Sequence, residues 1–298
     1  MGCGSWSTSS FASYTTSTKS ATLDSSGRVR GLSDRTQDTY KRSFIHDDLN
    51  PKNVMRECCD NEEHPNTVPV ILALDVTGSM GSTAIEVAKS LNVIMTKLYD
   101  QVQDVEFCVM GIGDLYCDKS PIQISQFESD VRIAEHLDKV YFEGGGGGNL
   151  YESYTAAWYM GLNHTKLDCW ERGKKGIIIT MGDEQLNPYL PRVYLECVTG
   201  DNLQSDVVTK SLYNDVSKKF DVYHINVLHG SRLYMQDSIN KTFSDVIGAE
   251  NFFSCDLNSL PDVITSIIVD NQKKQNGEQI VTEEPVVVGI ASGDGISW

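Results

Sequence analysis

Residues 71–80 of this 298-residue chain read ILALDVTGSM. Four apolar residues run into an acid, and two hydroxyl residues follow it at alternate positions. The apolar run begins at residue 68 and predicts a buried strand, because a continuous apolar stretch suits a strand that is covered on both faces. The side-chain oxygens of Asp75, Thr77 and Ser79 therefore stand at the carboxyl end of that strand. What these oxygens do at that position decides which class of function the sequence indicates.

After residue 68 the sequence alternates between strand-like and helix-like segments. Strand patterns occur at residues 68–76, 105–114, 121–127, 174–184, 221–229 and 251–256. Helix patterns occur at residues 83–102, 129–142, 150–165, 205–220 and 259–274. This alternation predicts an α/β fold: a three-layer, Rossmann-like, doubly wound and mostly parallel sheet with helices on both faces. In such sheets, ligands bind beyond the carboxyl ends of the strands.

Two segments flank the predicted domain at 68–274. Residues 1–67 form an N-terminal arm in this interpretation. Its first 23 residues are rich in Ser and Thr, so we expect them to be disordered alone or ordered only against a partner. The remainder of the arm is polar and irregular, and we expect it to wrap or precede the domain. A C-terminal tail at 275–298 contains the apolar run VVVGI (286–290), which predicts an added strand on this chain or on a neighbour.

Composition and charge narrow the classes of function. The net charge of −16 disfavours nucleic-acid binding, because an acidic domain repels phosphate backbones. No apolar run reaches the length of a membrane span, and no secretory signal is visible. The 8 cysteines form no CxxC pair, so structural zinc is not expected. Because no secretory signal is visible, we expect a cytoplasmic protein with reduced thiols, or a virion-associated protein if the chain is phage-encoded.

Asp75, Thr77 and Ser79 allow two interpretations. Three oxygens after a strand can converge on a hard divalent cation such as Mg²⁺ or Mn²⁺, which prefers oxygen ligands. Alternatively, one of these side chains caps the following helix. A cap needs a single oxygen, and it would leave a buried acid beside two hydroxyls unexplained. The metal interpretation is therefore favoured.

The stretch DVTGSM resembles the metal-ion-dependent adhesion site of von Willebrand factor A (VWA) domains, in its DxTxS variant. The resemblance spans about residues 68–270. It implies a second loop that supplies a further oxygen ligand and a third loop that supplies an acid; Asp183, in IIITMGDE, occupies the third position. With the glycine-rich stretch FEGGGGGNLYESY (142–154), the chain resembles a group of bacterial and phage-encoded VWA proteins.

The second loop departs from the family pattern, because a glycine stands where the family usually has Thr. Its available oxygens belong to Asn149, Glu152 and Ser153. Glu152 is expected to replace the Thr directly or through water, with Asn149 as the other candidate. Earlier in the chain, Asp114 ends another strand; it is interpreted as a turn acid, with a position near the metal as the alternative. The aromatic side chains of Tyr154, Trp158 and Tyr159 are interpreted as packing.

The resemblance implies a binding module without enzymatic activity, in which a bound Mg²⁺ (or Mn²⁺) accepts an Asp or Glu carboxylate from another protein. Family members in microbes often act beside AAA+ ATPases, so such an ATPase is one expected partner and self-assembly is another. Two alternatives stay open. One is a structural assembly protein that uses its arm and tail. The other is a haloacid-dehalogenase-like phosphohydrolase, although Thr77 then stands where such enzymes need an acid.

Overall fold

The apolar stretch at residues 68–75 forms an inner strand of a six-stranded sheet. The structure, a computed structural model, describes residues 4–143, 151–228 and 234–278. Within them the strands are, in chain order, β1 (Thr22–Leu23), β2 (Val29–Arg30), β3 (Arg56–Cys58), β4 (Val68–Asp75), β5 (Val105–Ile112), β6 (Ile122–Ile124), β7 (Tyr151–Glu152), β8 (Thr165–Leu167), β9 (Gly176–Gly182), β10 (Gln185–Leu186), β11 (Tyr189–Leu190), β12 (Val207–Val208), β13 (Phe220–Val227) and β14 (Phe252–Cys255). The α-helices are α1 (Thr8–Lys19), α2 (Thr36–Thr39), α3 (Gly81–Tyr99), α4 (Arg132–Asp138), α5 (Thr155–Asn163), α6 (Arg192–Thr199), α7 (Thr209–Val216), α8 (Gln236–Ile247) and α9 (Leu260–Gln275).

The sheet has the strand order β14-β13-β9-β4-β5-β6. Strands β14, β13, β9, β4 and β5 are parallel to their neighbours, and β6 is an antiparallel edge strand beside β5. From β4 the chain moves outward to β5 and β6, and it then returns to β9 on the other side of β4. The order therefore reverses between β4 and β9, which is where a doubly wound sheet places its ligand crevice. The predicted doubly wound, mostly parallel α/β fold is confirmed.

Helices cover both faces of the sheet and enclose two hydrophobic clusters. One cluster lies under α3, α4 and α9, and the other lies under α5, α7 and α8. Helix α3 shows how the sequence produces this packing, because the six apolar residues spaced at helical intervals along it are all buried: Ile85, Ala88, Leu91, Ile94, Met95 and Leu98. None of the helices in the described ranges is long and apolar enough to cross a membrane.

The N-terminal arm is part of the folded domain. Helix α1 buries Phe11 in the cluster beneath α3, and Val29 and Leu49 from later in the arm join the same cluster. The Tyr14 hydroxyl donates to Asp138 Oδ2 at 2.6 Å, which ties α1 to α4. The expected disorder of residues 1–23 is therefore wrong for residues 8–19. Residues 1–23 contain few large aliphatic side chains, and aromatic side chains provide packing instead: the rings of Trp6 and Phe11 lie 5.1 Å apart. The arm wraps the domain, which was one of the two expectations.

Several local expectations differ from the structure. Helix α4 begins at Arg132, later than the helix pattern at 129–142 indicates, and the Ser129 hydroxyl donates to the Gly4 carbonyl at 2.6 Å. The helix expected at 150–165 begins at Thr155, and Tyr151–Glu152 form strand β7. Helices α6 and α8 were not predicted. The expected strand at 286–290 lies outside the described residues.

Candidate functional site

The carboxyl ends of β4 and β9 bring together two of the predicted ligand loops. Asp75 is the last residue of β4, and Asp183 directly follows β9. Between Asp75 and helix α3 the chain makes a single 3₁₀ turn, Gly78–Met80. From this turn the Ser79 hydroxyl donates to Asp183 Oδ1 at 3.1 Å, so a hydrogen bond joins the two loops directly. Ser79 is exposed, whereas Asp75 and Asp183 are each 1% exposed, and the site thus opens at Ser79.

Asp75 is held by three hydrogen bonds in the described residues. Its Oδ1 atom accepts from the Thr77 backbone N–H at 2.9 Å and from the Thr77 hydroxyl at 2.6 Å. Its Oδ2 atom accepts from the Tyr154 hydroxyl at 2.8 Å. Neither the 3₁₀ turn nor α3 has a side-chain cap among the described residues. The interpretation of this stretch as a helix cap is therefore excluded.

Glu152 reaches the same region through a short parallel pairing of β7 with β10, in which Glu152 lies opposite Leu186. This pairing brings the end of the glycine-rich segment beside the loop that carries Asp183 and Glu184. Glu152 is 5% exposed, and its Oε2 atom has no hydrogen-bond partner among the described residues. Asn149, the other candidate from this segment, lies outside the described residues. Ser153 accepts at its hydroxyl from the Leu115 N–H at 3.1 Å and so braces the neighbouring loop.

Burial and mutual repulsion shift the pKa values of the acids. Burial raises the pKa of Asp75 to about 7; the charge of Asp183 adds to the rise, and the hydrogen bonds from Thr77 and Tyr154 oppose it. Burial raises the pKa of Glu152 to about 11, and the charges of Asp75 and other nearby acids, among them Asp118, act in the same direction. The site is thus a buried concentration of carboxyl groups whose ionisation is disfavoured without a neighbouring cation.

Tyr154 is a site residue that the sequence interpretation missed. Its hydroxyl donates to Asp75 and accepts from the Glu184 backbone N–H at 3.2 Å, so it bridges the first and third loops. Gly182 makes this approach possible, because a Cβ atom there would lie 1.9 Å from the Tyr154 hydroxyl. The available signal was the glycine that ends β9. Trp158 and Tyr159 are buried as expected, although the Tyr159 hydroxyl also donates to Asp201.

Asp114 matches its interpretation as a turn acid. Its Oδ1 atom accepts from the Tyr116 N–H at 2.9 Å, which closes a local turn. The side chain is nevertheless buried, and its negative charge helps to raise the pKa of Glu152. Asp114 thus adds to the negative potential of the site from its edge.

The donor chemistry fits a hard divalent cation. Both site hydroxyls point their protons at carboxylates, Thr77 toward Asp75 and Ser79 toward Asp183, so the oxygen lone pairs of both remain available to a cation. The described residues contain no group of three or more His, Cys, Asp or Glu side chains placed to hold a metal. A cation here would therefore rest on Asp75, Asp183 and the two hydroxyls, with the unbonded Oε2 atom of Glu152 nearby.

No protein-family model matches the sequence, and no curated protein matches it either. Among solved structures, the chain is similar to the pilus adhesin SpaC from Lactobacillus rhamnosus GG in its open conformation, with 12% identity, a TM-score of 0.47, and coverage of 74% of this chain and 31% of that one. It is also similar to the vWF domain of the type V pili tip protein Mfa5 from Porphyromonas gingivalis, with 13% identity, a TM-score of 0.44, and coverage of 72% and 97%. A third similar structure is proximal thread matrix protein 1 from the mussel byssus, with 12% identity, a TM-score of 0.44, and coverage of 69% and 48%. The chain spans about a third of the length of the pilus adhesin.

Proposed function

We propose that this chain is a protein-interaction module that binds Mg²⁺ or Mn²⁺ through Asp75, Thr77, Ser79 and Asp183, with Glu152 contributing through a water molecule. The supporting observation is the pair of hydroxyl groups whose protons point at the two carboxylates, since this orientation leaves a lone pair on each hydroxyl oxygen available to a cation. When bound, the cation would supply a Lewis-acidic position that accepts a carboxylate oxygen from a partner protein. No covalent chemistry is proposed.

The electrostatics of the site support a resident cation. Burial and mutual repulsion raise the pKa values of Asp75 and Glu152, so the metal-free site holds its protons tightly. A divalent charge reverses this balance because it stabilises the ionised carboxylates. We therefore expect protons to be released when the cation binds, and we expect the affinity for the cation to rise with pH.

The surrounding residues hold the donors in place. The Tyr154 hydroxyl fixes the orientation of the Asp75 carboxylate, and Gly182 leaves room for that hydroxyl. The Thr77 backbone N–H fixes the other oxygen of Asp75. Ser79 stands at the exposed side of the site, where a carboxylate from a partner would approach.

Isothermal titration with MgCl₂ and MnCl₂ tests the proposal. We expect the parent protein to bind one cation, and we expect Asp75→Asn to weaken that binding by a factor of at least about 100, because a direct ligand loses its charge. Ser79→Ala alters an exposed position, so we expect this variant to fold normally. We nevertheless expect its affinity for the cation to fall by a factor of at least about 10. Glu106→Gln is the matched control, since Glu106 is a buried acid on β5 outside the site.

Unchanged affinity in both Asp75→Asn and Ser79→Ala would contradict the proposal, as would a parent protein that binds neither cation. The same samples test the absence of catalysis. We expect no phosphate release from p-nitrophenyl phosphate in the presence of Mg²⁺. Release that depends on Asp75 would favour the phosphohydrolase alternative.

A further inference from the structure

A polar groove lies beside the exposed edge of the candidate site. Its volume is about 800 Å³, and its lining includes Thr77, Gly78 and Ser79. Residues 34–37 and 40–43 of the N-terminal arm also line it and are called the arm wall; Lys119 and residues 141–143 line it as well. The groove therefore extends the candidate site across a surface that the arm helps to build.

The arm wall is anchored to the domain. Tyr40 is buried, its hydroxyl donates to the Ala84 carbonyl at 3.2 Å, and its ring packs 4.5 Å from the ring of Phe142. At Gly81, the first residue of α3, a Cβ atom would lie 2.0 Å from the Thr36 hydroxyl oxygen. This close approach seats α2 against the start of α3, next to the turn that carries Ser79. The wall thus has a fixed position relative to the site.

The lining of the groove has an excess of positive charge, although the whole chain carries −16. Among the described residues, four basic side chains line it, Arg35, Lys41, Arg42 and Lys119, against two acidic ones, Asp34 and Glu143. The acids are already engaged: Asp34 forms an ion pair with Lys89, and Glu143 accepts from the Ser120 N–H at 2.7 Å.

Three of the four basic residues have no acidic partner among the described residues. Lys41, Arg42 and Lys119 form no salt bridge with any described residue. In addition, the Nε atom of Arg42 is buried without a hydrogen-bond partner in the described ranges. A deep acidic site therefore opens onto a basic groove, and the basic groups have charge to offer a ligand.

We propose that this groove selects an acidic segment of a partner protein, one that presents several Asp or Glu residues in succession. This inference rests on the proposed function: one carboxylate of the segment reaches the cation beside Ser79, and its neighbours lie along Lys41, Arg42 and Lys119. These basic side chains favour a segment with several neighbouring carboxylates. A cation that binds one carboxylate cannot distinguish such a segment from one with a single acid. The N-terminal arm is then a specificity element of the site.

Two fluorescein-labelled peptides of equal length test this inference by fluorescence anisotropy in Mg²⁺ and in EDTA. One peptide carries six consecutive Glu residues, and the other carries a single Glu among five Gln residues. We expect the parent protein in Mg²⁺ to prefer the six-Glu peptide by about fivefold or more. The double variant Lys41→Gln/Arg42→Gln should lose that preference, while its Mg²⁺ affinity by titration stays unchanged. The control is Lys52→Gln/Lys210→Gln, which removes the same charge from exposed positions that do not line the groove.

The outcomes separate the two proposals. If Mg²⁺ binds and the double variant keeps the full preference for the six-Glu peptide, the groove proposal is overturned and the metal proposal stands. If the parent protein binds no Mg²⁺ by titration, the proposed function fails and this inference fails with it. Competition by a poly-thymidine oligonucleotide as strong as that by the six-Glu peptide would overturn the assignment to a protein partner.

Discussion

Asp75 and Glu152 lie in the same buried region but differ in how their carboxyl groups are supported. Asp75 accepts three hydrogen bonds, two from Thr77 and one from Tyr154. Glu152 retains an Oε2 atom with no hydrogen-bond partner in the described residues. Both acids are almost fully buried, so burial alone does not explain why the pKa of Glu152 rises to about 11 and that of Asp75 to about 7.

These hydrogen bonds distinguish the acid that is preorganised for a cation from the one that is not. Hydrogen bonds that favour the ionised form oppose burial at Asp75, and they fix both oxygens of its carboxylate. Within the described residues the Oε2 atom of Glu152 has no such hydrogen bond, and Glu152 experiences the charges of several acids, beginning with Asp75. We therefore interpret Asp75 as the preorganised ligand, and Glu152 as a donor that ionises only when a cation is present.

The largest expected effect is on the pH dependence of metal-free stability. For both acids the pKa in the folded protein is raised above the unfolded value, so their contribution to stability is present at low pH and is lost as pH rises. For Asp75 this loss falls between pH of about 4 and 7, and for Glu152 it begins at about the same pH and continues to about 11. Within its pH window, each group lowers the free energy of unfolding by up to about 1.4 kcal/mol per pH unit.

Urea unfolding in EDTA across pH 5 to 9 measures this difference. Asp75→Asn should flatten the decline of the unfolding free energy below pH 7, and it should also end the decline above pH 7 sooner, because the charge of Asp75 raises the pKa of Glu152. Glu152→Gln should remove most of the decline above pH 7. Saturating Mg²⁺ should remove much of the decline in the parent protein. Identical profiles for the two variants would contradict the distinction between these acids.

The next largest effect concerns Tyr154, whose hydroxyl supports Asp75 and not Glu152. Tyr154→Phe leaves a buried carboxylate oxygen and the Glu184 N–H without that hydroxyl, so we expect a loss of about 2 kcal/mol in the free energy of unfolding. Mg²⁺ affinity should fall about tenfold, because the Asp75 carboxylate loses its orientation. Tyr159→Phe in helix α5, which begins directly after Tyr154, is the control, since its hydroxyl contacts Asp201 outside the site. A variant Tyr154→Phe with parental Mg²⁺ affinity would show that the hydroxyl has no positioning role.

The smallest effect is expected for Glu152 in cation binding. Glu152→Gln keeps an oxygen donor but removes the charge, and we expect Mg²⁺ affinity to fall about tenfold, well short of the loss in Asp75→Asn. Titration calorimetry at pH 7 in two buffers with different ionisation enthalpies also counts the released protons. The variant should release fewer protons than the parent protein. A loss as large as that in Asp75→Asn would make Glu152 an equal ligand.

The sheet could be predicted from the sequence because its strands are continuous apolar runs. Strand β4 ends on Asp75 and β9 ends just before Asp183, so the topology alone places these two acids at the reversal of strand order. The pattern at residues 83–102 likewise fixes the buried face of α3. These features depend on local periodicity, which a single sequence displays directly.

Other features depend on contacts between distant parts of the chain. Nothing local to Tyr154 shows that its hydroxyl meets Asp75, because the contact follows from the register of β9 and the missing side chain at Gly182. The folding of residues 8–19 likewise depends on the surface of α3, which receives Phe11. The Ser/Thr-rich composition of that segment indicated disorder because composition does not register such a docking surface.

The apolar side chains that the first 67 residues bury have a practical consequence for dissecting this protein. A fragment that begins at residue 68 would lack Phe11 and Val29, and the part of α3 that α1 and β2 contact would meet water. Shortened versions would aggregate through that uncovered strip, and their failure to bind a ligand would say nothing about the loops themselves. Mapping by point substitution in the intact chain is therefore the sounder route than mapping by deletion.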